Sequence, residues 1–376
     1  MSTIHPYFSK SRVNVFLLAS DLEPGDATEQ FLLLARGLPR DRFAPSAGTV
    51  GALSASAADA LRAAGVPVAS YPIRGALDFG GMKRLRAAVR ATNPALVHAF
   101  GPRAVRAAQL VVNHTRTGSA PRVAVSGAAA CGDGVAGWLA RRALRRADRV
   151  LTTGWTEGQR YQRLWVPGER LSRAQFAVEP AAAPADRAAF CKEIGVPTDA
   201  RLIFAGGALD AAHGVREAVR AFDMLRYNNK AAHLVLIGDG PERQPAADLA
   251  RALAFDDNRV RFAGARSDLA ALTPLAEQVW VTRATGGELL ALRAMAAGAP
   301  VVAFDTPELQ EVIDDGNTGH IVPLGDRPAL AMKAQVLLSY PEVAKRMGEA
   351  GRAWAERFSA ARMIDQHARV YAELGS

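Results

Sequence analysis

Short apolar runs alternate with longer segments of helical period, and the sequence does this twice. A strand buried on both faces reads as a continuous apolar run, and a parallel neighbour requires a crossover of about a dozen residues, usually a helix. The pattern therefore predicts two doubly wound α/β units. In the first half the candidate strands are VNVFLLA (13–19), VPVAS (66–70), ALVHAF (95–100), RVAVSG (122–127) and RVLTT (149–153), with helices over 27–38, 80–92 and 134–147. In the second they are RLIFAG (201–206), HLVLIG (233–238), RVRFAG (259–264), VWVT (279–282), PVVAF (300–304) and HIVP (320–323), with helices near 214–227, 241–254, 287–297 and 326–356. Between the halves VEPAAAPAD (178–186) lacks periodicity and carries two prolines, so it reads as a linker. The expected domains are 1–177 and 187–357. Open α/β sheets bind ligands at their strand carboxyl ends, so the two Rossmann-like domains are expected to face a central cleft that holds the ligand.

Composition narrows the function. The 46 basic residues exceed the 37 acidic ones, for a net charge of +9, yet only six are lysine and 40 are arginine. The arginines are scattered along helical stretches and no nucleic-acid motif accompanies them, so an anionic small ligand fits the charge better than nucleic acid. Cys131 and Cys191 cannot build a disulfide framework, and no Cys or Cys/His spacing suggests zinc. A cytoplasmic protein is the expectation. Lys10 and Arg12 before VNVFLLA imitate a signal peptide only faintly, because the run is short and meets Asp21. No stretch approaches the ~20 apolar residues of a spanning helix.

Several segments together resemble the GT-B retaining glycosyltransferases of the family 4, or group 1, type. PGDATEQFLLLARGL (24–38) resembles that family's Gly-Gly-Ala-Glu turn and first helix, LVHAFGPRA (96–104) its Val-His-Ala-His segment, and RRALRRADRVLTT (141–153) its Arg-Ala-Asp helix end. FAGGALDAAHGVREAVRAF (204–222), LVLIGDGPER (234–243), VRFAGARSDLAAL (260–272) and LRAMAAGAPVVAFDTPELQEVIDDGNTGHIVP (292–323) follow in family order. The resemblance implies a GT-B fold, transfer of a hexose from a nucleotide-sugar to an acceptor with retention, no cofactor or metal, and a C-terminal helix (358–376) packing back on the N-terminal domain.

A departing nucleoside diphosphate accumulates negative charge, which a metal-free site must meet with cations and aligned N–H groups. The resemblance implies an Arg and a Lys for this role, but those positions hold Ala208 and His213. The implied glutamate pair falls on Thr285 and Arg293, the second glycine of the N-terminal turn on Asp26, and the implied histidine on Ser126. Asp26 would repel a diphosphate by about 1 kcal/mol at 4 Å in water. The candidate donor-binding residues are Gly25, Gly207, His213, Gly286, Gly287, Glu288 and Arg293, with Arg293 read as the centre of a rearranged anion pocket. No catalytic residue is assigned. Two functions stay compatible with these residues: a nucleotide-sugar transferase, and a catalytically inactive member acting as a binding or partner module.

Other features have plainer readings. Thr285-Gly286-Gly287-Glu288 has capping-box spacing, with Thr285 as N-cap. His98 reads as structural. Trp138–Arg146 (WLARRALRR) reads as a solvated helix with one apolar side, so peripheral membrane contact is not expected. Asp314-Asp315-Gly316 reads as a turn rather than a metal site.

Overall fold

A computed structural model describes residues 12–75, 78–112, 120–128, 134–253 and 259–375; Lys10 and Cys131 lie outside them. The chain divides into two compact units, residues 1–177 with 360–376, and residues 178–359.

The first unit runs β1 (Val13–Ala19), α1 (Asp26–Gly37), β2 (Phe43–Thr49), α2 (Ala55–Ala63), β3 (Val68–Ser70), α3 (Phe79–Thr92), β4 (Leu96–Phe100), α4 (Pro102–Val112), β5 (Arg122–Ser126), α5 (Gly134–Leu144), β6 (Arg149–Thr152), α6 (Trp155–Arg163) and β7 (Leu171–Arg173). Among the described residues its sheet is parallel and seven-stranded, ordered β3-β2-β1-β4-β5-β6-β7. β1 is an interior strand and shows why its sequence is an unbroken apolar run: Val15, Leu17 and Ala19 face one core, while Phe16 and Leu18 face the other. One core contains Phe31 and Leu34 of α1 and Leu61 of α2; the other contains Leu85, Val105, Leu144 and Tyr161 from α3 to α6. The C-terminal helix, α14, returns to the first of these cores through Met363, Val370 and Tyr371.

The second unit runs α7 (Arg187–Ile194), β8 (Arg201–Gly206), α8 (Val215–Arg226), β9 (Ala232–Ile237), α9 (Arg243–Ala252), β10 (Val260–Gly264), α10 (Leu269–Leu272), β11 (Gln278–Val281), α11 (Glu288–Ala297), β12 (Val301–Phe304), β13 (Gly319–Val322), α12 (Arg327–Ser339) and α13 (Pro341–Ala355), followed in the chain by α14 (Ala360–Leu374). Its parallel sheet, six-stranded among the described residues, has the order β10-β9-β8-β11-β12-β13. α8 buries Val215, Ala218, Val219, Phe222 and Leu225, the i, i+3, i+4, i+7 stripe of an amphipathic helix. Trp280 is fully buried and donates to Gln278 Oε1 at 3.2 Å, while Gln278 donates to the Ala334 carbonyl at 3.3 Å, so both buried side chains have partners. Asp186 caps α7 by accepting from the amides of Ala188 and Ala189, which ends the Pro/Ala-rich stretch.

Several local expectations are corrected. The helix read over 326–356 is two helices, because Pro341 has no N–H and disfavours helical backbone at Tyr340, so α12 stops and α13 begins. The first sheet contains β2, which the sequence reading passed over: Pro45, Ser46 and Gly48 interrupt its apolar run, yet it pairs on both sides, with β1 and β3. The helix expected from residue 241 begins at Arg243.

Candidate functional site

In the second unit the strand order reverses between β8 and β11, which are neighbours although β9 and β10 separate them in sequence. The crevice outside the carboxyl ends of these strands, where their loops meet, is the usual ligand position of an open α/β sheet. Glycine permits the close approach of these loops. A Cβ on Gly214 would stand 1.9 Å from the Thr282 carbonyl oxygen, and one on Gly238 would stand 1.8 Å from that of Gly207. Backbone bonds then stitch the loops together: Gly207 N–H to Ile237 O at 2.8 Å, Leu209 N–H to Asp239 O at 2.9 Å, and Ala284 N–H to Ala212 O at 3.1 Å.

Across this crevice runs a chain of three polar side chains. Asp210 accepts from the amides of Ala212 and His213, closing a short 3₁₀ turn, and its Oδ1 lies 2.6 Å from His213 Nδ1. The His213 ring and these amides hold the Asp210 carboxyl below the usual carboxylate range. On its other edge His213 Nε2 meets Arg283 Nη1, at the end of β11. With its proton on Nδ1 facing a carboxylate, the ring presents a lone pair at Nε2 to the guanidinium. Arg283 Nε donates to the Thr285 carbonyl at 3.0 Å. His213 is nearly buried, with 8% of its side chain exposed, whereas Arg283 is half-buried.

Of the candidate residues, the structure gathers Gly207, His213, Gly286 and Gly287 at this crevice. A Cβ on Gly207 would lie 3.0 Å from the His213 ring, and one on Gly286 would lie 3.5 Å from both Arg283 Nη2 and Glu288 Oε2. Ala208 is exposed on the same loop. The capping-box reading is corrected. Gly286 (φ 68°) and Gly287 (φ 102°) are both left-handed, so α11 begins only at Glu288, with Gly287 as N-cap and no side-chain cap. Thr285 is exposed ahead of that turn. Arg293 is half-buried on α11, six residues beyond its N-cap and about 9 Å further along the axis at the usual helical rise. Sequence reasoning missed Arg283 and Asp210. The Asp-x-x-His spacing was a usable sign of the second; nothing local announces the first.

Gly25 and Asp26 belong to the first unit, at the start of α1, where Gly25 is N-cap (φ 155°, ψ 173°). Asp26 and Glu29 lie in the first turn, where carboxylates favour the helix dipole. Ser126 ends β5 with its hydroxyl 2.9 Å from His98 Nε2, and His98 is fully buried in β4 against Tyr371. These contacts tie the half-buried Ser126 to the core through His98. α5 buries Ala140, Ala143 and Leu144 and exposes Trp138 and Arg142, and Arg145 and Arg146 are exposed in the turn that follows it.

A cavity of about 380 Å³ lined by Asp305, Gln310, Ile313, Asp315, Ile321, Val322 and Pro323 lies at the ends of β12 and β13. Its two carboxylates, Asp305 and Asp315, oppose an anion. Asp314–Gly316 forms the turn into β13, with Ile321 N–H donating to Asp315 Oδ1 at 2.9 Å. Among the described residues no cluster of three or more His, Cys, Asp or Glu side chains could hold a metal, and no helix is long and apolar enough to cross a membrane.

Residues 199–340 match the family model described as glycosyl transferases group 1. The alpha-D-kanosaminyltransferase of Streptomyces kanamyceticus is 29% identical over 252 residues, 65% of each chain. The N-acetyl-alpha-D-glucosaminyl L-malate synthase of Bacillus anthracis is 29% identical over 182 residues, 48% of this chain and 47% of that protein. The chain thus spans less than two thirds of the length of both relatives. Anabaena Alr3699/HepE, solved with UDP and glucose, superposes with a TM-score of 0.83 at 18% identity, covering 96% of this chain and all of that one. WaaG, a glycosyltransferase involved in lipopolysaccharide biosynthesis, superposes with a TM-score of 0.70 at 15% identity, covering 95% and 99%.

Proposed function

We infer that this chain, which has the GT-B fold, is a group 1 glycosyltransferase that transfers a hexose from a nucleotide-sugar to an acceptor hydroxyl, with retention at the anomeric carbon. The products are the glycoside, a nucleoside diphosphate and a proton. The observation that carries this reading is the glycine-lined β8/β11 crevice, which lies within the segment that matches the family and combines approachable backbone with a cation. UDP-glucose is the first donor to test, since Alr3699/HepE was solved with it. Gly207, His213, Gly286, Gly287 and Glu288 are proposed to line the donor, and Arg293 to flank it.

A second reading, an inactive binding or partner module, is favoured by the absence of the expected charges at Ala208, Thr285 and Arg293. Thermal shift and donor turnover with UDP-, GDP- and ADP-hexoses separate the two. A donor at 100 times its Kd stabilises by about 2.7 kcal/mol. A shift with turnover supports the transferase, a shift without turnover supports the module, and no shift with any donor removes the donor reading.

A further inference from the structure

We propose that Arg283 is the fixed cation that grips the donor's diphosphate, and that His213 and Asp210 are positioning residues that hold it there. The inference rests on the donor reading above and assigns its phosphate contact to a residue outside the family motif positions discussed so far.

A mobile arginine loses rotamer freedom when it binds an anion, so a guanidinium held in place beforehand binds more tightly than the same charge on a free stem. Arg283 is held at two points: Nε is tied to the Thr285 carbonyl and Nη1 to His213 Nε2. His213 is in turn fixed by Asp210, and the turn that carries both is closed by the Asp210 side chain on backbone amides. The Thr282 hydroxyl donates to the His213 carbonyl at 3.2 Å, locking the β11 end to the same turn. Among the described residues Nη2 meets no acceptor, so one edge of the fork stays available beside Gly286. The neighbouring backbone at Gly207, Gly286 and Gly287 has no side chains to keep a phosphate away.

Ala208 and His213 supply no permanent charge where the resemblance implied an arginine and a lysine. Arg283 brings such a charge to the His213 ring from the adjacent strand end. Glu288 Oε2 reaches the same space, but a diphosphate bears more than one negative charge and remains the stronger partner for a guanidinium.

Calorimetric titration of inorganic pyrophosphate and of UDP into the full chain tests this. Arg283→Ala is expected to weaken both at least tenfold, Arg283→Lys less, because it keeps the charge and loses the fork. Arg251→Gln, which removes an exposed arginine of the same unit, is expected to leave both affinities unchanged. His213→Ala should weaken binding, while His213→Gln, whose amide can accept from Arg283 and donate to Asp210, should restore most of it. Neither histidine change should matter once Arg283 is alanine. Circular dichroism shows that each variant is folded. UDP binding that ignores Arg283→Ala overturns the inference and leaves the donor reading standing. Pyrophosphate binding that depends on Arg283, with no binding of any nucleoside diphosphate, overturns the donor reading and leaves the anion site. Binding of neither overturns both.

Discussion

Tyr371 Oη, on the last helix of the chain, lies 2.5 Å from His98 Nδ1 in the fourth strand of the first sheet. Burial pushes the Tyr371 phenol well above its ordinary value and holds His98 well below 6.5, with the nearby His367 adding to the second effect. The phenol therefore keeps its proton and donates to Nδ1, which leaves the ring proton on Nε2 to donate to Ser126. Residues 273 positions apart thus fasten the C-terminal helix to the first unit.

Removing that hydroxyl should cost stability without emptying the core. Tyr371→Phe leaves a buried imidazole nitrogen unpaired and is expected to destabilise by about 1–3 kcal/mol. Tyr371→Ala adds a cavity beside Phe43, whose ring centroid lies 5.9 Å away, and should cost about 3–5 kcal/mol. Urea denaturation of both variants checks the order, and an unchanged midpoint for Tyr371→Phe would show that the bond contributes nothing.

Acid should loosen the same region. Burial lowers His98 and brings His367 down to about 4. A histidine depressed in the folded state binds fewer protons there than in the unfolded chain. Its contribution is therefore complete above about pH 6.5 and is lost as pH falls toward the folded value. His367 alone accounts for about 3 kcal/mol of lost stability by pH 4. Denaturation midpoints measured from pH 7.5 down to 4.5 should fall, with a shallower fall in His367→Gln.

The loop contacts of the second unit make Gly214 intolerant of any side chain. Gly214→Ala combines a left-handed φ of 64° with a Cβ 1.9 Å from the Thr282 carbonyl oxygen. A loss of about 2 kcal/mol or more is expected, and the displaced turn should weaken pyrophosphate binding as well. Gly65→Ala is the comparison: its φ of 68° is similar, but a Cβ there meets nothing within 4 Å. It should show the strain term alone, and equal losses at the two positions would show that the close contact is not the cause.

His213→Lys should move stability and affinity in opposite directions. An ammonium beside Arg283 faces a like charge, worth roughly 1–4 kcal/mol at 4 Å between water and a protein-surface dielectric. The ligand-free melting temperature should therefore fall. A bound pyrophosphate would bring the two cations onto a shared anion, so its affinity should rise. A melting temperature that rises without ligand would contradict the contact between His213 and Arg283.

The sequence by itself determined the α/β class, the twofold repetition of the pattern and the glycine-rich turns, because burial on both faces of a parallel strand writes itself as local apolar runs and helix periods. It did not reveal β2, whose Pro45 and Gly48 obscure that signal, nor the start of α11, where two left-handed glycines displaced the helix past the capping box. Only the tertiary structure decided that His213 has Arg283 as its neighbour. His213 and Arg283 are 70 residues apart and meet because β11 returns to lie beside β8 after β9 and β10 have been laid on its other side. Strand order, set by packing across the whole sheet, has no local signature, so nothing along the chain announces that Arg283 meets His213.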